Sequence, residues 1–179
     1  VAIGFIFLYF YKGGGTLDTV LKAIGLGDQI HLWLGDRSIN NISLAFTSIW
    51  RYTGFNFLVF LGAIQSINPE VYEAAEIDGA TGIKQFFHIT IPLISPTIFF
   101  VLVTRVIGAL QVFDLIFMVM DKSNPALEKT KSLVYLFYRY SFTEKNLGYG
   151  STIVVLLLVV IMVITVFQMI AQKKWVHYN

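Results

Sequence analysis

Between Ser151 and Ala171 the chain runs for about 21 residues without one charged side chain. At 1.5 Å per residue a helix of that length is roughly 30 Å long, the thickness of a bilayer's hydrocarbon core. Such a segment either fills the centre of a large soluble core or crosses a membrane, and composition decides between the two. Hydrophobic residues make up 56% of the chain and charged residues 13%, against roughly 45–50% and 25% in soluble domains. The chain is therefore expected to be an all-α, polytopic transmembrane helical bundle. A formal net charge of +2, with no cluster of Lys and Arg, excludes a nucleic-acid partner. With no cysteine present, disulfides and thiolate metal sites are excluded too.

The remaining spans follow from the same pattern. Residues 1–11 form an apolar run too short to cross a membrane and without a basic n-region or cleavage site, so it is expected to be the outer half of a helix cut by N-terminal truncation. Residues 16–25 place Leu17, Val20, Leu21 and Ile24 on one helical face with Asp18 and Lys22 off it. That predicts an amphipathic helix capped by Thr16 and lying at the membrane interface, with His31 and Trp33 at headgroup level. Full spans are expected over 42–64, carrying Arg51 and several small or polar residues, over 91–120, with Pro92 and Pro96 in its first turns, and over 151–171. Lys173, Lys174, Trp175 and Tyr178 close the chain as an interfacial anchor.

The polar stretch 65–90 is more specific. Asn68-Pro69-Glu70 is a helix start: Asn caps, Pro occupies the first helical position, and Glu faces the positive end of the dipole. The helix carries Glu73, Ala74, Ala75 and Asp78 and stops at Gly79, which tolerates the left-handed conformation of a C-terminal cap. A second short helix can begin at Thr81 and run through Phe86-Phe87-His88 before Pro92. Two short helices between two spans make a compact knob.

Here the sequence resembles a known family. Glu73-Ala74-Ala75, three residues, Gly79, nine residues and Ile89-Thr90-Ile91-Pro92 match the EAA loop of binding-protein-dependent ABC importer permeases, with Ile91 where Leu is usual. Ile77-Asp78-Gly79-Ala80 and Pro92-Leu93-Ile94-Ser95-Pro96 are similar to the carbohydrate branch, the maltose and glycerol-phosphate permeases. Trp50, Gln111-Val112-Phe113-Asp114 and Leu147-Gly148-Tyr149-Gly150 extend the likeness over the chain. The resemblance implies a type I ABC importer permease whose 65–90 loop is the cytoplasmic coupling helix, seated in a groove of the ATPase. Ala74 and Ala75 then permit close backbone approach, Gly79 leaves room at the turn, Glu73 pairs with a basic residue of the ATPase, and Asp78 braces the loop. It further implies an ABC ATPase subunit dimer, a second permease subunit, an extracytoplasmic solute-binding protein and a sugar-like substrate as partners, in the bacterial plasma (inner) membrane among its lipid. No cofactor is implied.

Two features run against that picture. With the coupling loop cytoplasmic, that side holds Lys84, Lys173 and Lys174. The outer side holds Lys12, Lys22, Arg37, Lys122, Lys129, Lys131, Arg139 and Lys145, the reverse of the positive-inside rule. The motif is followed here because the first helices often set orientation. Secondly, Met120-Asp121-Lys122-Ser123-Asn124-Pro125 stands where the branch usually has a Thr-Gly-Gly-Gly-Pro turn.

The substrate pathway is expected along two helices. Arg105 lies near mid-membrane, where a charge has to face a cavity or a partner, and helical spacing puts Gly108, Ala109 and Val112 on its face. Ser48, Tyr52 and Phe55 form a similar stripe beside Trp50. Aromatic rings stack on the apolar face of a pyranose while fixed donors take its hydroxyls. Arg105 stands where the family has Ser or Thr, which points to an anionic or strongly hydroxylated cargo. Alternatively, Arg105 pairs with a carboxylate of the second permease, and Tyr52 and Phe55 are helix packing. Asp114 is expected on the face opposite Arg105.

Rival functions fare worse. His31, His88 and His177 are scattered, without a metalloprotease or nucleophile-elbow motif, so no intramembrane enzyme is indicated. Nor is there a G-x-x-x-x-G-K-[ST] loop to hold ATP. A passive channel or secondary transporter would need no docking knob. An importer of glycerol phosphate or another non-sugar solute is the nearer alternative.

Overall fold

The computed structural model describes residues 2–36, 38–120 and 124–177. Arg37, Lys122 and Tyr178 lie outside them, as does the centre of the Met120–Pro125 turn. Every regular element among the described residues is helical, and the chain divides into two compact units, residues 1–51 with 110–158 and residues 52–109 with 159–179.

In the first unit α1 (Ala2–Tyr11) leads through a Gly-rich turn into α2 (Thr16–Ala23). Gly15, not Thr16, is the N-cap of α2, and no side chain caps it. Of the two charges expected off the apolar face, Lys22 is exposed but Asp18 is not. Asp18 is buried (4% exposed), while Val20 and Ile24 are exposed. The cause is local: Asp18 accepts hydrogen bonds from the Gly14 amide and the Trp33 indole Nε1, both at 2.7 Å. Those two donors satisfy the carboxylate, with the indole bond the main cause holding its pKa below the ordinary value. Trp33 thereby serves as a strut for the turn.

The helix α3 (Asn40–Gln65) begins in this unit. Its inward face is polar and tied down: Asn40 donates to the Ala126 carbonyl and to Thr130 Oγ1, and the Tyr11 hydroxyl donates to the Ser43 carbonyl at 2.9 Å. Around this frame Leu44, Leu115, Ile116, Val119, Met120, Ala126, Leu127 and Tyr135 form the core.

In the second unit, α4 (Pro69–Ile77) and α5 (Gly82–Leu93) follow the end of α3. Contrary to the expected stop before Pro92, α5 runs through it. Proline lacks an N–H, and its ring crowds the carbonyl four residues back. The helix widens to a π turn over Phe86–Thr90, in which the Ile91 amide reaches the Phe86 carbonyl, and the wider turn gives the ring room. After Ile94 the chain bends by 65° into α6 (Ser95–Leu110). Ser95 is buried in the bend; its hydroxyl donates to the Pro92 carbonyl at 2.6 Å and accepts from the His177 amide at 2.9 Å. Trp175 meets Phe99 edge to face at 6.2 Å, so the expected anchor also packs on the foot of α6.

Residues 91–120 are thus not one helix. α6 ends at Leu110, residues 111–113 are non-helical, and α7 (Asp114–Val119) begins anew in the first unit. Phe113 opens α7 and packs against the first unit's core cluster. There α8 (Leu127–Thr130), α9 (Leu133–Tyr138) and a π turn over Arg139–Thr143 precede α10 (Leu147–Gln172), the 26-residue helix built on the uncharged run. Gly150 near its start is required by close approach: a Cβ there would fall 2.0 Å from Ser141 Oγ.

Among the described residues α10 alone is long and apolar enough by itself to cross a membrane, and the bent pair α5–α6 passes as a broken span. α3 has the length, but Ser43, Thr47, Ser48, Arg51, Thr53 and Asn56 dilute its apolar character.

Candidate functional site

Two surfaces of the second unit gather the residues singled out from sequence. The first is the knob. Asn68 caps α4 by accepting from the Glu70 amide at 3.1 Å, and its Nδ2 donates to the Glu70 carboxylate at 3.0 Å, with Pro69 at the first helical position. The far end closes as predicted at Gly79, which adopts φ +74°. The Gly79 amide bonds the Glu76 carbonyl at 3.0 Å and the Ala80 amide bonds the Ala75 carbonyl at 2.9 Å. That paired closure takes up carbonyls the helix end would leave bare, and it depends on a residue tolerating positive φ.

α4 is then fastened to α5 by the Tyr72 hydroxyl, which hydrogen-bonds Thr90 Oγ1 at 2.9 Å, and Gln85 Nε2 donates to the Ala80 carbonyl at 3.3 Å. The result is a braced projection. Glu73, Ala74 and Asp78 lie on its outside, whereas Ala75 is buried within it. Of the two alanines, Ala74 is thus the one open to another backbone. Sequence reasoning passed over Ile77 and Ile83, which are 87% and 76% exposed. The signal was present, since each is an isoleucine standing beside the turn residues that end α4 and begin α5.

The second surface centres on Arg105 of α6. Its guanidinium carbon lies 4.1 Å from the centroid of the Tyr52 ring and 5.6 Å from that of Phe55. Its Nε is buried and has no hydrogen-bond partner. Gly108 and Ala109 lie within the next turn of the same helix, both exposed, and a Cβ on Gly108 would meet nothing within 4 Å. Of the expected set, Tyr52, Phe55, Arg105, Gly108 and Ala109 belong to the second unit and Ser48 and Val112 to the first. Val112 cannot share the Arg105 face, because α6 has already ended; it packs instead on the first unit's core.

The other arginine of the apolar segments, Arg51 on α3, forms an ion pair with Asp114 of α7 at 2.5 Å, side chains 33% and 46% exposed. Ala2, Ile3, Gly4, Leu115 and Met118 surround the pair. Sequence reasoning noted both charges without joining them. Two opposite charges, each isolated in an apolar stretch, were the available clue. Among the described residues no group of three or more His, Asp or Glu is placed to hold a metal.

Comparison with known proteins places these surfaces in context. The family model described as "Binding-protein-dependent transport system inner membrane component" matches residues 1–177. The osmoprotective compounds uptake permease protein GgtC of Synechocystis is 38% identical over 94% of this chain and 61% of its own length. The arabinooligosaccharides transport system permease protein AraP of Bacillus subtilis is 30% identical over 94% of this chain and 54% of its own. A bacterial alginate ABC transporter, crystallised with its alginate pentasaccharide-bound periplasmic protein, superposes with a TM-score of 0.85 at 28% identity, covering 97% of this chain and 59% of that one. The chain therefore spans little more than half the length of the proteins it matches.

Proposed function

The chain belongs to the family of binding-protein-dependent transport system inner membrane components, the permeases of ABC importers, and from that premise we propose that it passes a sugar or sugar derivative inward under the drive of a separate ATPase. As a family member it is the multi-pass inner-membrane component and not the ATPase. The observation that carries the proposal is the braced knob. A short helix closed at both ends, hydrogen-bonded to the foot of a bent apolar helix and showing Glu73, Ala74, Ile77 and Asp78 outward, suits docking to a second protein. An apolar rim beside an acidic group fits a groove with a basic edge. We place the ATPase there, with Glu73 on its basic residue, Ala74 at the closest approach, and Asp78 and Gly79 holding the turn in shape.

Carbohydrate cargo is supported by the names of the relatives, which include an arabinooligosaccharide permease and an alginate transporter. The aromatic wall of Tyr52 and Phe55 is consistent with it. A second permease subunit and an extracytoplasmic solute-binding protein complete the proposed assembly.

The test is Glu73→Arg in the full-length importer, reconstituted with its ATPase and binding protein. Reversing the charge at a docking contact is expected to lower uptake at least about 10-fold, while the permease still assembles in detergent. Uptake at the unmodified rate would remove the ATPase from the knob and favour a transporter that needs no such contact.

A further inference from the structure

The two arginines in apolar segments are treated differently. Arg51 is neutralised within the chain by Asp114. The other ion pairs among the described residues join Lys131 to Glu128 and Arg139 to Glu128 and Glu144; none includes Arg105. Arg105 instead lies over Tyr52 and beside Phe55, with its Nε buried and unbonded.

Stacking satisfies one face of a guanidinium through attraction to the ring quadrupole. It does nothing for the N–H groups, which radiate from the edge of the plane and accept no hydrogen bond themselves. Among those N–H groups the buried Nε has no acceptor, and none of the ion pairs among the described residues brings a carboxylate to the guanidinium. A sugar hydroxyl can accept from that edge but brings no charge to answer the cation. A carboxylate, phosphate or sulfonate supplies two or more oxygens in the plane of the fork. Gly108, one turn further along α6, carries no side chain, and a Cβ there would touch nothing, so the helix is open at that position. The side chain is also folded back onto rings of its own unit.

We infer that Arg105, backed by Tyr52 and Phe55, selects an anionic cargo by binding the carboxylate, phosphate or sulfonate of a sugar or polyol derivative. This rests on the carbohydrate-type importer reading above and narrows it to the charged members of that class.

The experiment uses the full-length importer in liposomes with its binding protein, and reads cargo-stimulated ATP hydrolysis and uptake. The probes are trigalacturonate, glycerol 3-phosphate and a 6-sulfonated hexoside, each matched to its uncharged counterpart, with a mixture of free amino acids beside them. At least one anionic probe is expected to stimulate the importer more than its neutral match. For that probe Arg105→Gln is expected to lower transport about 10- to 100-fold, the loss of one charged hydrogen-bonding partner. Arg105→Lys is expected to fall between, keeping the charge but losing the planar fork. Stimulation by neutral probes alone, or by no anionic probe, overturns the inference while leaving a neutral-sugar importer intact. Loss of the second permease from purified Arg105→Gln, reversed by Arg105→Lys, overturns it in favour of an ion pair between subunits. A response to amino acids alone would instead remove the carbohydrate reading itself.

Discussion

Arg51 and Asp114 lie in different helices, each in an otherwise apolar setting, and breaking such a pair leaves one charge with nothing to answer it. Because the side chains are partly exposed, the expected cost of Arg51→Leu or Asp114→Leu alone is about 1–2 kcal/mol, short of the 3–5 of a fully buried pair. The double substitution is expected to recover most of that loss, measured as a thermal melt in detergent. Strictly additive single effects would show that the two do not support one another. At this scale the sequence was informative where chemistry is local and misleading where it is not. Asn68, Pro69 and Gly79 have roles set by their neighbours in the chain, and each plays the part assigned. Asp18 reads as a solvent-facing charge on an amphipathic helix, yet two donors brought round by the Gly13–Gly15 turn and by Trp33 draw it inward. The Arg51–Asp114 pairing spans 63 residues, a separation across which periodicity says nothing.

Helices were legible wherever caps or long uncharged runs marked them. α10 and α4 fall close to their expected limits, and the knob's two-helix form was anticipated. α6 was overextended because residues 111–113 hold no charge, Gly or Pro to mark a stop; Val112 and Phe113 pack instead into the first unit's core. The continuation of α5 through Pro92 was missed for the converse reason, since a widened turn removes the clash that normally makes proline a stop. The caps of α4 are open to direct measurement. Gly79→Ala is expected to cost about 1–2 kcal/mol, because its φ lies in the left-handed region, and Asn68→Ala about 1 kcal/mol. Both are checked by hydrogen exchange in residues 69–77. Unchanged protection in Gly79→Ala would mean that the closure of the helix end does not hold α4 in place.

For the whole molecule, the fold class followed from apolarity alone, and the family from one loop. The orientation did not, because the Lys and Arg distribution of the described loops opposes the motif. With the knob cytoplasmic, a cysteine at Glu76 is expected to react with a membrane-impermeant maleimide only after cells are opened, and one at Glu144 in intact cells. The reverse pattern would invert the topology and take the knob away from any cytoplasmic ATPase. Of the residues proposed for cargo, helical spacing singled out Tyr52, Phe55 and Arg105, which meet in the second unit, but it assigned Val112 to a helix that has ended before that position.

The bend at Ile94 sets a mechanical ratio. The Tyr72–Thr90 bond ties the knob to the turn just below it, so force applied to α4 reaches α6 as torque about that point. From Ser95 to Arg105 the helix extends roughly 15 Å. A rotation of about 10° at its foot would then swing Arg105 sideways by about 2.5 Å, close to the length of a hydrogen bond. On the proposed roles of the knob and Arg105, a small stroke at one end of this arm would close or open a grip at the other.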